Sequence, residues 1–109
     1  MDTLDMVITA LCADYFRRDG EIRARRLPPR ILMEYSYINN RIYEAAASVS
    51  IQRADTYIRE IGERTGYTKS ALADMMCERM YKEEKKRVRD GIKARLHLWA
   101  PVREDAWEK

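Results

Sequence analysis

Arg79, Lys82, Lys86, Arg89 and Lys93 recur at three- and four-residue spacing near the end of the chain. At about 100° per residue they share a helical arc about 80° wide, and at 1.5 Å per residue they form a stripe about 21 Å long. No carboxylate falls inside that arc, although Glu78 and Asp90 border it. A helix carrying such a row fits a DNA major groove or a run of phosphates. Three to five phosphate contacts would give affinity a log–log salt slope near −0.9 per contact. The alternative is a solvated face, on which Glu83 and Glu84 neutralise cations one turn away.

A second basic cluster, Arg23, Arg25, Arg26 and Arg30, flanks Pro28 and Pro29. The planar guanidinium fork suits phosphate and carboxylate recognition. If this cluster joins the stripe in space, the surface favours nucleic acid. If it lies opposite, it favours solvation or an acidic protein partner. Residues 17–30 and 78–95 each carry a net +4, so the rest of the chain holds −5 under a formal total of +3. Such asymmetry says more about partners than the total does.

Catalytic and metal-binding patterns are missing. His97 is the sole histidine, so no pair of imidazoles can hold zinc and none stands beside a nucleophile. The four glycines, at 20, 62, 66 and 91, form no phosphate loop. Glu60 with Glu63, and Glu83 with Glu84, sit among Arg and Lys and read as salt-bridged faces. The expectation is a non-enzyme without cofactor or metal. Cys12 and Cys77 both lie in apolar helical patterns and read as buried free thiols of a cytoplasmic protein. No run of apolar residues is long enough for a membrane span, and the acidic start lacks the pattern of a secretory signal.

The elements that must position these residues are helical. In the 109 residues, 46% are apolar and 36% charged, with four Gly and three Pro, which favours long helices over strands and turns. A first helix is predicted from about Thr3 to Arg18, with Leu4, Val7, Ile8, Leu11, Cys12, Tyr15 and Phe16 on its apolar face and Gly20 as its stop. Residues 19–29 read as a connector that extends that helix by at most a turn or two. A second helix is predicted over Pro29–Val49, where Ile31, Tyr35, Ile38, Ile42, Ala45 and Val49 follow a 4-3-4-3-4 rhythm. That rhythm serves either an intramolecular bundle, which we favour, or a homodimer through this helix. The patch Ala45-Ala46-Ala47 would admit another helix closely.

A third helix is expected over Arg53–Thr65, ended by Gly66 in the left-handed conformation. A short helix capped by Thr68 or Ser70 should follow through Leu72 and Met76. The last helix should run from Cys77 to Leu98, with Tyr81, Val88, Ile92 and Trp99 facing the core. Tyr57 to Ser70 thus has the layout of a helix-turn-helix, an amphipathic helix, a glycine corner and a polar capping turn. Lys69 and Ser70 would be the turn's contacts. The architecture is therefore a single all-α domain over residues 1–100, a bundle of four to five helices with a candidate helix-turn-helix in its C-terminal half. Residues 101–109 form a tail expected to fray.

The blocks from Glu34 to Ala46, Tyr57 to Gly62, Met80-Tyr81-Lys82, and Lys93 to Leu98 resemble small helical proteins of phages and mobile elements. Some of those resemble ArpU-type or sigma-like regulators with a C-terminal helix-turn-helix. The resemblance implies a transcription-linked, DNA-binding role, and such small families also include inhibitors of host machinery. Met80-Tyr81-Lys82-Glu83-Glu84 departs from the pattern, with acids where a sigma-like recognition helix is more basic or polar. The first functional reading is thus a DNA-binding accessory or regulatory protein, with DNA as its partner. The second is a protein-interaction module, an adaptor or an inhibitor of a nucleoprotein complex, using Tyr37 and Tyr43 with the connector arginines.

Overall fold

The computed structural model describes residues 3–98. Five helices follow in order: α1 Thr3–Ala13, α2 Tyr15–Ala24, α3 Pro29–Val49, α4 Ala54–Glu63 and α5 Glu78–Arg95, with a 3₁₀ turn at Tyr67–Lys69 between the last two. An all-α bundle is the fold, as the apolar spacing predicts. The residue Trp99 and the tail lie outside the described residues.

The expected first helix is broken at Asp14, and α2 then runs through Gly20 to Ala24. The break has a physical cause in groups far apart in sequence. The Arg18 guanidinium donates to the Leu11 carbonyl, an oxygen that a continuous helix would give to the Tyr15 amide. Asn39 of α3 accepts from Arg18 Nε at 2.7 Å and donates to the Tyr15 carbonyl at 3.0 Å. A side chain entering the backbone ladder bends a helix there. Gly62 of α4 meets the same stretch: a Cβ built on it would lie 2.6 Å from the Ala13 nitrogen. Only a glycine allows α1 and α4 to approach so closely.

α3 has the predicted bounds, set by Pro28-Pro29 at one end and by extended backbone at Ser50 at the other. Its apolar rhythm is used inside the bundle, where Ile42, Ala45 and Ala46 are fully buried. α5 packs antiparallel on it: Gly91 faces Ala45, Arg95 reaches Glu44 at 3.8 Å, and Glu84 pairs with Arg53 beyond the end of α3 at 3.0 Å. Ala45 is thus the close helix approach that the alanine patch predicts. Ile8, Cys12, Tyr57, Ile58, Tyr81, Val88 and Ile92 complete the core. Cys12 is buried, and that burial pushes its thiol up to about 12. Cys77 is exposed, contrary to expectation, because it precedes α5 rather than lying on its inner face.

Two further expectations are corrected between α4 and α5. The left-handed residue that ends α4 is Arg64 (φ 59°), not Gly66 (φ −86°). The Thr65 amide donates back to the Glu60 carbonyl at 2.9 Å, so the chain turns two residues earlier than the glycine suggests. The expected short helix through Met76 does not form either. Glu60 takes the Ser70 hydroxyl (2.7 Å) and the Ala71 amide (2.9 Å), and the Tyr67 hydroxyl bonds the carbonyls of Ala73 (2.9 Å) and Met76 (2.7 Å). These contacts replace helical backbone bonds and hold residues 70–77 as turns. Residues 64–77 therefore separate α4 from α5 by more than the tight turn of a helix-turn-helix.

Candidate functional site

The stripe on α5 forms one wall of a groove of about 700 Å³. Lys82, Lys86, Arg89 and Lys93 all line it, as the helical arc predicts. Asp5 and Thr9 of α1 form the facing wall, and Arg64 with Gly66 closes the α4 end. Ile61, Tyr67 and Tyr81 also contribute to the lining. The close contact of α1 with α4 at Gly62 holds α1 in place beside the α4 end of the groove.

Two cations were not legible as site residues. Lys85 lies about 40° outside the arc by helical angle. It is nonetheless folded into the groove, where its ammonium donates to the Thr65 carbonyl and, at 3.2 Å, to the Tyr81 hydroxyl. Burial, and then the charge of Arg89, hold that ammonium below its usual value. The Tyr81–Lys85 spacing of four was the signal available for it. Arg64 follows the helix end in the left-handed conformation, a placement that helical spacing does not reveal.

Among the described residues, six cations thus line the groove against Asp5 and Asp90. Lys82 pairs with Glu78 (3.6 Å), Lys86 with Asp90 (2.8 Å), and Lys93 with Asp5 (3.8 Å) and Asp90 (4.0 Å). Arg64 and Arg89 have no carboxylate within ion-pair distance among the described residues. Ion pairs this exposed contribute about 0–1 kcal/mol each, so a phosphate can displace the carboxylates cheaply.

A buried hydrogen-bonded network supports the floor. Glu60 accepts from Ser70, the Ala71 amide and Tyr81, the last at 2.7 Å. Burial opposes ionisation of Glu60, but these bonds and the Lys85 charge hold its carboxyl below the usual carboxylate value. Burial and the bond to Glu60 push the Tyr81 phenol up to about 12. Glu84 is arranged alike: against the same burial, bonds from Tyr57 and Arg53 hold it low. Fixed, ionised and saturated with donors, both carboxylates are built as supports rather than as proton carriers.

The remaining expected residues lie elsewhere. Ser70 is buried against Glu60 and presents no hydroxyl to the surface, which removes it as a nucleic-acid contact. Lys69 is exposed but does not line the groove, and neither does Arg79. The connector arginines do not join the stripe at the groove. Arg30 is fifteen residues from Ala45, or about 22 Å along α3. Arg23 pairs with Asp19 (2.9 Å), Arg26 with Glu21 (3.3 Å) and Arg30 with Glu34 (4.0 Å), while Arg25 caps α2 in the left-handed region (φ 54°).

No group of three or more His, Cys, Asp or Glu among the described residues could hold a metal ion. No described helix is long and apolar enough to cross a membrane. No protein-family model, curated protein or solved structure matches the chain.

Proposed function

We propose that this chain is a small helical DNA-binding accessory protein that holds the phosphate backbone in the α5 groove. One observation carries the reading: among the described residues, six cations converge on one groove that two carboxylates share. Phosphates supply what Arg64 and Arg89 lack, and they compete with the weak surface pairs of Lys82, Lys86 and Lys93. Contacts of this kind set position and affinity without reading sequence. The role is therefore an accessory one, consistent with the transcription-linked role on a phage or mobile element that the sequence resemblance implies.

The test is a salt titration of binding to random-sequence duplex DNA. Binding is expected at about 50 mM salt, with a log–log slope of about −2.7 to −4.5 for three to five contacts. Replacing Lys82, Lys86 and Arg89 with Glu should abolish it without changing helical content. Absence of binding by the unaltered chain at that salt refutes the reading.

A second reading, a protein-interaction module, is favoured by the far half of α3. Met33 is 73% exposed there and Tyr37 50% exposed, and Arg41 stacks over the Tyr37 ring at 5.1 Å. Exposed Tyr and Arg side by side are what protein interfaces prefer.

A further inference from the structure

We infer that the outer face of α3 pairs with α3 of a second copy of this chain, antiparallel and centred on Tyr37. This is not the core stripe of Ile42 and Ala45, which the bundle already buries. It is the opposite face, on which Arg30, Met33, Tyr37, Asn40 and Glu44 recur at three- and four-residue spacing, all of them exposed. Met33, Glu34, Tyr37 and Ile38 surround a shallow depression of about 390 Å³. It is apolar apart from Glu34 and large enough to receive an aromatic side chain.

The charges select the partner and its direction. In an antiparallel pair centred on Tyr37, Arg30 stands opposite Glu44 of the second copy, and Glu34 stands within one residue of the level of its Arg41. The two-fold axis makes each pairing occur twice. A parallel pair would set Arg30 on Arg30, Glu34 on Glu34 and Arg41 on Arg41, which is repulsive at each of these charged levels. Tyr37 lies on the axis, so each ring can enter the depression beside the other copy's Met33. The intramolecular partners do not block this. Arg30 and Glu34 are 4.0 Å apart and highly exposed, and Glu44 remains about half exposed while holding Arg41 at 2.6 Å and Arg95 at 3.8 Å.

Positions 30 to 44 span about 21 Å of helix. One helix pair of that length falls short of the ~800 Å² per partner of a tight interface, so the dimer is weak. No α3 residue lines the groove, so this pairing stands or fails independently of DNA binding.

Sedimentation equilibrium from about 10 µM to 1 mM tests it, across the range where a weak dimer becomes populated. The mass should climb towards twice that of the chain. Replacing Met33 and Tyr37 with Glu should hold the protein monomeric, at least about ten-fold weaker in association, with unchanged thermal unfolding because both residues are exposed. Direction is read by cross-linking in a Cys77→Ser background with a short bismaleimide. Asn40→Cys should cross-link between copies, and Arg30→Cys should not. A monomer at 1 mM, a dimer that survives the Met33 and Tyr37 substitutions, or cross-linking through position 30 overturns the inference.

Discussion

Replacing Gly62 with alanine should destabilise the fold by about 2 kcal/mol. A Cβ there would lie 2.6 Å from the Ala13 nitrogen, 2.7 Å from its Cα and 2.8 Å from the Cys12 carbonyl carbon. These are backbone atoms and cannot rotate away, so α4 must move off α1 by the better part of an ångström. Overpacking of that kind costs about 3 kcal/mol, and the helix preference of alanine over glycine returns about 1. Gly20 supplies the control, because it lies inside α2 and a Cβ there meets nothing within 4 Å. Gly20→Ala should therefore stabilise by about 0.5–1 kcal/mol. Urea unfolding followed by circular dichroism reads both. With a slope of about 1.5 kcal/mol per molar, the Gly62→Ala midpoint falls by about 1.3 M and the Gly20→Ala midpoint rises by about 0.5 M. A Gly62→Ala protein as stable as the unaltered chain would falsify the close approach of α1 and α4, and with it the geometry that faces Asp5 and Thr9 towards α5.

Three other outcomes follow from named contacts. Arg64→Gly relieves a left-handed arginine, so it should raise stability by about 1 kcal/mol while lowering the magnitude of the DNA salt slope by about 0.9; chemical denaturation and anisotropy titration measure the two effects. Asn39→Ala leaves Arg18 Nε and the Tyr15 carbonyl without their partner at the α1–α2 break, and should cost about 2–3 kcal/mol by thermal unfolding. Glu60 and Glu84 are held below the ordinary carboxyl value of 4.5, so their contribution is complete above that pH and is lost as pH falls through the folded values. Glu60→Gln should lower stability at neutral pH by about 2 kcal/mol and flatten the loss below about pH 4.5, as read by urea midpoints across pH.

Local signals carried most of the helical architecture. Pro28-Pro29 and the rhythm from Ile31 to Val49 were sufficient for α3, because a proline start and an apolar face act within a few residues. The α5 stripe was legible for the same reason, and four of its five cations meet in the groove. What was not legible depends on distant groups. The break at Asp14 needs Asn39 and Gly62, which come from two other helices. The missing short helix depends on Glu60 capturing Ser70 and Ala71 across the α4 corner. Arg64 ends α4 two residues before the glycine that usually marks such a turn. Lys85 has the helical angle of an edge residue, and only the Thr65 carbonyl and the Tyr81 hydroxyl explain its place in the groove. Whether the connector arginines join the stripe was open from the sequence, and none of them lines the groove, Arg30 standing about 22 Å along α3 from Ala45.

Binding of random duplex DNA as a function of salt bears most directly on the groove's role. For the unaltered chain, a slope of about −2.7 to −4.5 is expected, and it should collapse when Lys82, Lys86 and Arg89 become Glu. Charge reversal of Arg23, Arg25 and Arg26, remote from the groove, should leave the slope within about one contact of its starting value. No binding at about 50 mM salt, or binding lost only with the connector arginines, would contradict the assignment of the α5 groove as the phosphate site.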